Sequence, residues 1–272
     1  MTRYYHTISG VPLLPIPSND MLDNHPPPLE ILREDGPLLV VNKPPGISTQ
    51  GVPGKYMTLE SQVREYIKTT FHKPGNVYLG IPHRLDRPTS GVIVFARNSK
   101  TAARLAEQFA ERSVIKEYLA IVEGEVSPET GSLSDWLLKD AERAFVRIVP
   151  EGTARAKFAE LEYRVIAIRS GRTLLHLMPR TGRMHQLRVQ LAARGWPVVG
   201  DRQYGIPQSE TQRTIETEAE TNFLPRLNAI ALHAWRLTLK HPIRYDTLTL
   251  QAPPPSSWPE DLFSRSDISA II

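Results

Sequence analysis

Val92-Ile-Val-Phe-Ala96 is apolar at odd and even positions alike, the pattern of a central strand buried on both faces. Leu38-Leu-Val-Val41 predicts another strand, stopped at Asn42-Lys-Pro-Pro-Gly46 by two prolines and a glycine. Between these runs the period changes. Leu59, Val63 and Ile67 recur every four residues and lead on to Phe71, an apolar helical stripe. Leu105, Ala106, Phe109 and Ala110 mark a second helix, with Asn98-Ser99 placed to cap its start. From Ser113 to Met178 strand-like runs follow one another, beginning at Ile115 and continuing through Phe145–Val149, Phe158–Ile168 and Thr173–Met178. Turns are expected at Gly124, Gly131, Gly152 and Gly171. A third helix follows Thr181-Gly182, with Met184, Leu187 and Leu191 on one face and Gly195 at its end. The chain closes with a strand pair, Leu232–Leu239 and Thr247–Leu250, and a proline-rich tail.

Long strand runs with a few inserted helices predict the α+β class. Residues 1–28 hold six prolines and little amphipathic pattern, so they are expected to form an extended arm. Residues 29–255 read as one catalytic domain and 256–272 as a tail. The stretch 206–226 is rich in Glu and Thr with few apolar anchors, which suits an insertion loop.

Composition narrows the chemistry. A 272-residue chain can bury roughly three quarters of its unfolded surface in a single core. The net charge is +4 and the isoelectric point about 9.3, compatible with a nucleic-acid partner without requiring one. The chain has no cysteine, which removes disulfides and thiolate metal sites. Its eight histidines form no metal-binding spacing, so no metal is expected. There is no apolar run long enough to span a membrane. The N-terminus lacks the pattern of a signal or transit peptide, and a cytoplasmic monomer is expected.

Four separated segments combine polar side chains with turn chemistry: Asn42-Lys43-Pro44-Pro45-Gly46, His83-Arg84-Leu85-Asp86-Arg87, Lys116-Glu-Tyr118 with the run to Gly124, and Arg180-Thr-Gly-Arg183-Met-His185-Gln-Leu-Arg188. Each has an ordinary structural reading by itself. A Lys-Pro-Pro-Gly is a turn, an Arg-Leu-Asp-Arg a surface ion-pair loop, and a tyrosine in an apolar strand a core residue. Their order and spacing point elsewhere. Asp86 sits between two arginines on a loop that leads into the stiff Val92–Ala96 strand, a good setting for a nucleophile or base.

Together the segments resemble the motif set of the RluA-type pseudouridine synthases, which isomerise uridine in ribosomal or transfer RNA. His-Arg-Leu-Asp-Arg-x-Thr-Ser-Gly is the most specific string, followed by Thr-Gly-Arg-x-His-Gln-Leu-Arg. The agreement runs from about Leu29 to Pro253 and includes Gly200-Asp201, Tyr204-Gly205 and Leu232-His233-Ala234. The resemblance implies a long, bent, mixed and mainly antiparallel sheet with flanking helices and an active-site cleft across its middle. It implies that Asp86 is the essential aspartate and that Arg84 takes the place of the extruded base. Tyr118 packs on the target base, Arg188 pairs with the aspartate, and Leu232 lines the base pocket. Lys43 matches the lysine of the first motif, an electrostatic and structural part of the cleft. Lys43, Arg87, Arg180 and Arg183 are expected along a phosphate-contacting rim, with His185 among the substrate-binding groups.

The isomerisation breaks N1–C1′, turns the uracil and joins C5 to C1′, so it needs no redox cofactor or nucleotide. A carboxylate beside C1′ can stabilise or capture the positive sugar, or it can remove the 2′ proton to give a glycal. Both routes stay open. A non-catalytic RNA-binding module would need the basic rim but not Asp86, Tyr118 and Arg188 together. A glycosidase generally wants two acids across a cleft, and Asp86 has no convincing partner.

Overall fold

The computed structural model describes residues 28–51, 57–140, 142–205, 229–258 and 267. Apart from Pro28, the expected arm lies outside the described residues, as do the 206–226 stretch and most of the 256–272 tail. Three helices are described, α1 (Leu59–Thr70), α2 (Ser99–Ala110) and α3 (Gln186–Ala192). The strands in chain order are β1 (Glu30–Asp35), β2 (Leu38–Lys43), β3 (Ser90–Ala96), β4 (Ile115–Glu123), β5 (Thr130–Lys139), β6 (Val146–Val149), β7 (Lys157–Arg169), β8 (Arg172–Pro179), β9 (Leu232–Lys240) and β10 (Thr247–Gln251). They form one open sheet in the order β1-β2-β3-β9-β4-β8-β7-β5-β6, with β10 paired to β9. Every pairing is antiparallel except β3 with β9. This is the mixed, mainly antiparallel α+β sheet expected from the sequence.

Local chemistry sets most element boundaries. Thr58 caps α1 by accepting from Ser61 N–H, and the Ser61 hydroxyl returns to the Thr58 N–H, so two end donors are satisfied reciprocally. Asn98 caps α2 through Thr101 N–H. Leu59, Val63 and Ile67 bury completely, whereas Phe71 falls past the last turn, is 39% exposed and lies under the Arg97 guanidinium. Gly131, expected at a turn, lies inside β5 opposite Tyr163. A Cβ there would come within 2.7 Å of the Tyr163 ring. The glycine marks a close approach across the sheet, a second meaning of glycine in a strand pattern.

Two apolar cores lie on either side of the sheet's middle. One joins β2 and β3 to α1 and α2 and includes Ala234, Leu237 and Leu239 of β9. The other joins β4, β7 and β8 to α3 and includes Leu232 and Trp235 of the same strand. Trp258, beyond the expected boundary at 255, is buried in the second core against the His233 ring. Tyr118 packs on both cores.

The seam between the halves is short. β3 and β9 pair only at Ser90 with His233 and Gly91 with Ala234. Gly91 has φ +121°, and a Cβ there would fall 2.2 Å from the Ala234 carbonyl oxygen and 2.5 Å from its nitrogen. Only glycine admits both the conformation and the approach. Beside it, His233 Nε2 donates to the Ala252 carbonyl at 3.2 Å, which leaves Nδ1 to accept from the Ser90 hydroxyl at 2.9 Å. Burial lowers the His233 pKa to about 4, so the ring joins these elements as a neutral group. Beyond Gly91 the strands part. The edge of β3 left unpaired by β9 is satisfied by His83 Nε2, which accepts from Val94 N–H at 3.1 Å, and by a bridge between Gly80 and Ala96. The motif loop that carries Asp86 is thereby fastened to the parted edge.

Gly91→Ala combines left-handed strain with a backbone clash and is expected to cost about 2–5 kcal/mol. Urea unfolding of the variant checks this. An unchanged midpoint would mean that the seam is not a tight contact.

Candidate active site

Residues 84–89 form a loop whose shape is imposed by the first motif. Gly46 N–H donates to the Arg87 carbonyl at 2.8 Å, and Arg87 Nε donates back to the Gly46 carbonyl at 2.8 Å. Thr49 brackets Leu85, its hydroxyl donating to the Leu85 carbonyl and accepting from the Leu85 N–H. Thr89 N–H closes a turn on the Asp86 carbonyl at 3.1 Å.

Lys43 sits beneath this loop and not on a rim. It is fully buried, and its ammonium donates to the carbonyls of Pro44 (2.9 Å), Arg87 (3.1 Å) and Thr89 (2.7 Å). Desolvation lowers its pKa to about 7, with Asp86 opposing. The correction has a simple cause. The turn supplies the Pro44 carbonyl and the loop of residues 84–89 supplies those of Arg87 and Thr89, and an ammonium is the natural donor to all three.

Two nitrogens face one oxygen of Asp86. Arg188 Nη1 lies 3.4 Å from Oδ2 and His185 Nε2 lies 3.8 Å from the same atom. Among the described residues no donor is recorded at Oδ1. His185 occupies the N-cap of α3 in a left-handed conformation with φ 51°, and both it and Arg188 are turned toward one carboxylate. Met184 precedes the helix and packs on the cluster of Leu137 and Val146.

The guanidinium fork of Arg188 does not lie on Asp86. Nε and Nη2 reach the two oxygens of Asp201 at 2.7 and 2.9 Å, and Nη2 also reaches Gln203. Both side chains are buried, at 5% and 1% exposure. Asp201 in turn accepts from the N–H groups of Gln203 and Tyr204. A bidentate pair with its remaining lone pairs satisfied is the geometry in which a buried ion pair is well held. Asp201 fixes the arginine, which then offers its remaining nitrogen to Asp86.

The cleft above these groups has a volume of about 110 Å³, against the roughly 10–15 Å³ that a single water needs. Arg84, Lys116, Arg183, Arg188 and His185 line it, and Asp86 is the only acid among its lining residues. Tyr118 and Lys116, two apart on β4, enter from one side and Leu232 of β9 from another. Burial, aided by Asp86, raises the Tyr118 phenol above its ordinary pKa, so the hydroxyl keeps its proton. Lys116 donates to the Thr181 carbonyl at 2.9 Å, and burial lowers its pKa to about 8.

The expected residues separate into groups. Asp86, Tyr118, Arg188, Arg84, Arg183, His185 and Leu232 meet in the cleft. Arg87 is exposed but ties the loop to Gly46. Arg180 lies on the surface, paired with Glu162. Asp201, Tyr204 and Lys116 were not among the expected site residues. Lys116 could have been found from its two-residue spacing to Tyr118, which puts both on one strand face. Among the described residues no cluster of three or more His, Cys, Asp or Glu could hold a metal ion.

Residues 37–193 match the family model described as RNA pseudouridylate synthase. Over 238 residues the chain is 35% identical to the dual-specificity RNA pseudouridine synthase RluA of Escherichia coli (strain K12), covering 85% of this chain and 98% of that protein. It is 32% identical over 226 residues to ribosomal large subunit pseudouridine synthase C of Buchnera aphidicola, covering 82% of this chain and 66% of that protein. The solved structure of human RNA Pseudouridylate Synthase Domain Containing 4 superposes with a TM-score of 0.66 at 26% identity, covering 84% of this chain and 89% of that one. The chain belongs to the RNA pseudouridylate synthase family.

Proposed function

We propose that this chain isomerises uridines of ribosomal or transfer RNA to pseudouridine, with Asp86 acting at the sugar. The observation that carries the reading is a single acid in a cleft otherwise lined by cations, with one of its oxygens engaged and the other free of recorded donors among the described residues. Cleavage of N1–C1′ develops positive charge on the ribose, and the open oxygen of Asp86 is the group to stabilise or capture it. The surrounding cations suit the negative charge that passes to the uracil as the bond breaks. The Tyr118 ring gives the freed base a flat surface during its rotation, and its protonated hydroxyl can serve in proton transfer at C5. Leu232 supplies the apolar wall.

Access requires the nucleotide to leave its stack, at a cost of a few kcal/mol. Arg84 suits the vacated space. It is exposed at the mouth of the cleft and has no recorded hydrogen bond or ion pair among the described residues. Its planar guanidinium can lie against bases. Arg183 adds phosphate contact, which makes binding sensitive to salt. RNA substrates of this class suit a cytoplasmic location.

Asp86→Asn is expected to lower turnover about a thousandfold or more while RNA affinity and folding stay near those of the parent protein. Single-turnover assays on the cognate RNA, with filter binding alongside, check this. A variant that keeps a percent of the parent rate would end the assignment of Asp86. Arg188→Lys keeps the charge but loses the fork that grips Asp201. Turnover is expected to fall about a hundredfold from misplacement of the remaining donor, with little change in RNA affinity. Near-parental turnover would show that the Asp201 grip does not control Asp86.

A further inference from the structure

Tyr204 lies outside the four motif segments, yet it touches both groups that face Asp86. Its hydroxyl is 2.9 Å from His185 Nδ1, its ring lies 5.0 Å from the Arg188 guanidinium carbon, and its own N–H donates to Asp201, the carboxylate that grips Arg188. The ring is held in turn by stacking on Phe145 at 4.9 Å between centroids. The residue therefore sits behind the reacting carboxylate without reaching the cleft.

The direction of the hydroxyl proton follows from its neighbours. Val146 N–H can only donate, and it lies 2.8 Å from the Tyr204 oxygen, which therefore accepts there. The phenol has one proton to give, and the one acceptor recorded near it among the described residues is His185 Nδ1. Burial raises the Tyr204 phenol and lowers the His185 imidazole from their ordinary pKa values. Both directions suit a protonated phenol beside a neutral ring. If Nδ1 accepts, the imidazole proton must be on Nε2, which faces Asp86 Oδ2 across 3.8 Å. The opposite tautomer would leave the phenol proton without an acceptor and aim a lone pair at a carboxylate. The other charges acting on His185 are Arg188, Asp201 and Lys139.

We propose that Tyr204 is a positioning residue for the isomerisation, holding His185 in its Nε2–H tautomer so that imidazole and Arg188 together occupy Oδ2 of Asp86 and direct Oδ1 to the sugar. The inference rests on Asp86 being the reacting carboxylate, and its first test is read without turnover. In protein labelled with 15N-histidine, the His185 signals are identified by their loss in His185→Gln. Near neutral pH they are expected to show a bare Nδ1 and a protonated Nε2. A protonated Nδ1 in the parent protein would overturn the proposal, whatever its activity.

Tyr204→Phe then removes the hydroxyl and keeps the ring against Phe145 and Arg188. It is expected to shift the His185 signals toward a mixture of tautomers. The single-turnover rate should fall about 10- to 100-fold from loss of orientation, with RNA affinity nearly unchanged. A parental tautomer or a parental rate in a folded Tyr204→Phe protein would overturn the positioning role. Should that variant fail to fold, Phe145→Leu keeps the hydroxyl and removes the stack that holds it, and it must then lower the rate without weakening RNA binding. A parental rate in Phe145→Leu would likewise count against the proposal.

Discussion

The close approach of Gly91 to the Ala234 backbone is the contact on which the geometry of the site rests. Two halves with separate apolar cores meet through a two-residue parallel pairing, and the strands then part. A longer pairing would close the edge of β3 that holds the His83 ring and, through it, the Asp86 loop. A looser one would let Leu232 and Tyr118 drift from that loop. The cleft is a consequence of where the sheet stops pairing, and a missing side chain at one position determines that point.

The charges around Asp86 are arranged in depth. Asp201 holds Arg188 by two bonds in the interior, and Arg188 extends one nitrogen outward to a half-buried carboxylate. A donor anchored this way needs little reorganisation when charge develops nearby, which is the source of much catalytic electrostatic stabilisation. The acid that interacts most strongly with the arginine is thus not the acid proposed to react. Reading a site by counting charge partners of one residue would assign these roles the wrong way round.

Much of the architecture was legible in the sequence. The cap at Asn98, the stripe Leu59–Val63–Ile67 and the two-sided burial of β3 depend on local chemistry, and local patterns report them well. Gly131 was misread because a glycine that relieves a cross-strand ring looks the same in sequence as one that makes a turn. Asp86, Tyr118 and Arg188, singled out by their motifs, line one cleft. The destination of the Arg188 fork was not legible. It depends on how the chain after α3 folds back, which brings Asp201 beneath an arginine thirteen residues earlier. Lys43 could be read as a structural part of the cleft or as a rim cation, because a cation beside Pro-Pro-Gly can face solvent as easily as a cage of carbonyls. Only the three-dimensional course of residues 84–89 decides between them.

That cage changes how the absence of cysteine can be understood. Lys43 joins chain segments forty-four and forty-six residues apart through carbonyls that no other side chain engages among the recorded bonds. An ammonium with three backbone acceptors acts as a non-covalent cross-link at the base of the Asp86 loop. Unlike a disulfide, it needs no oxidant to form and no reductant can cut it. The loop that carries Asp86 is therefore fastened by a link that is indifferent to redox conditions, and it assembles as soon as its two segments meet.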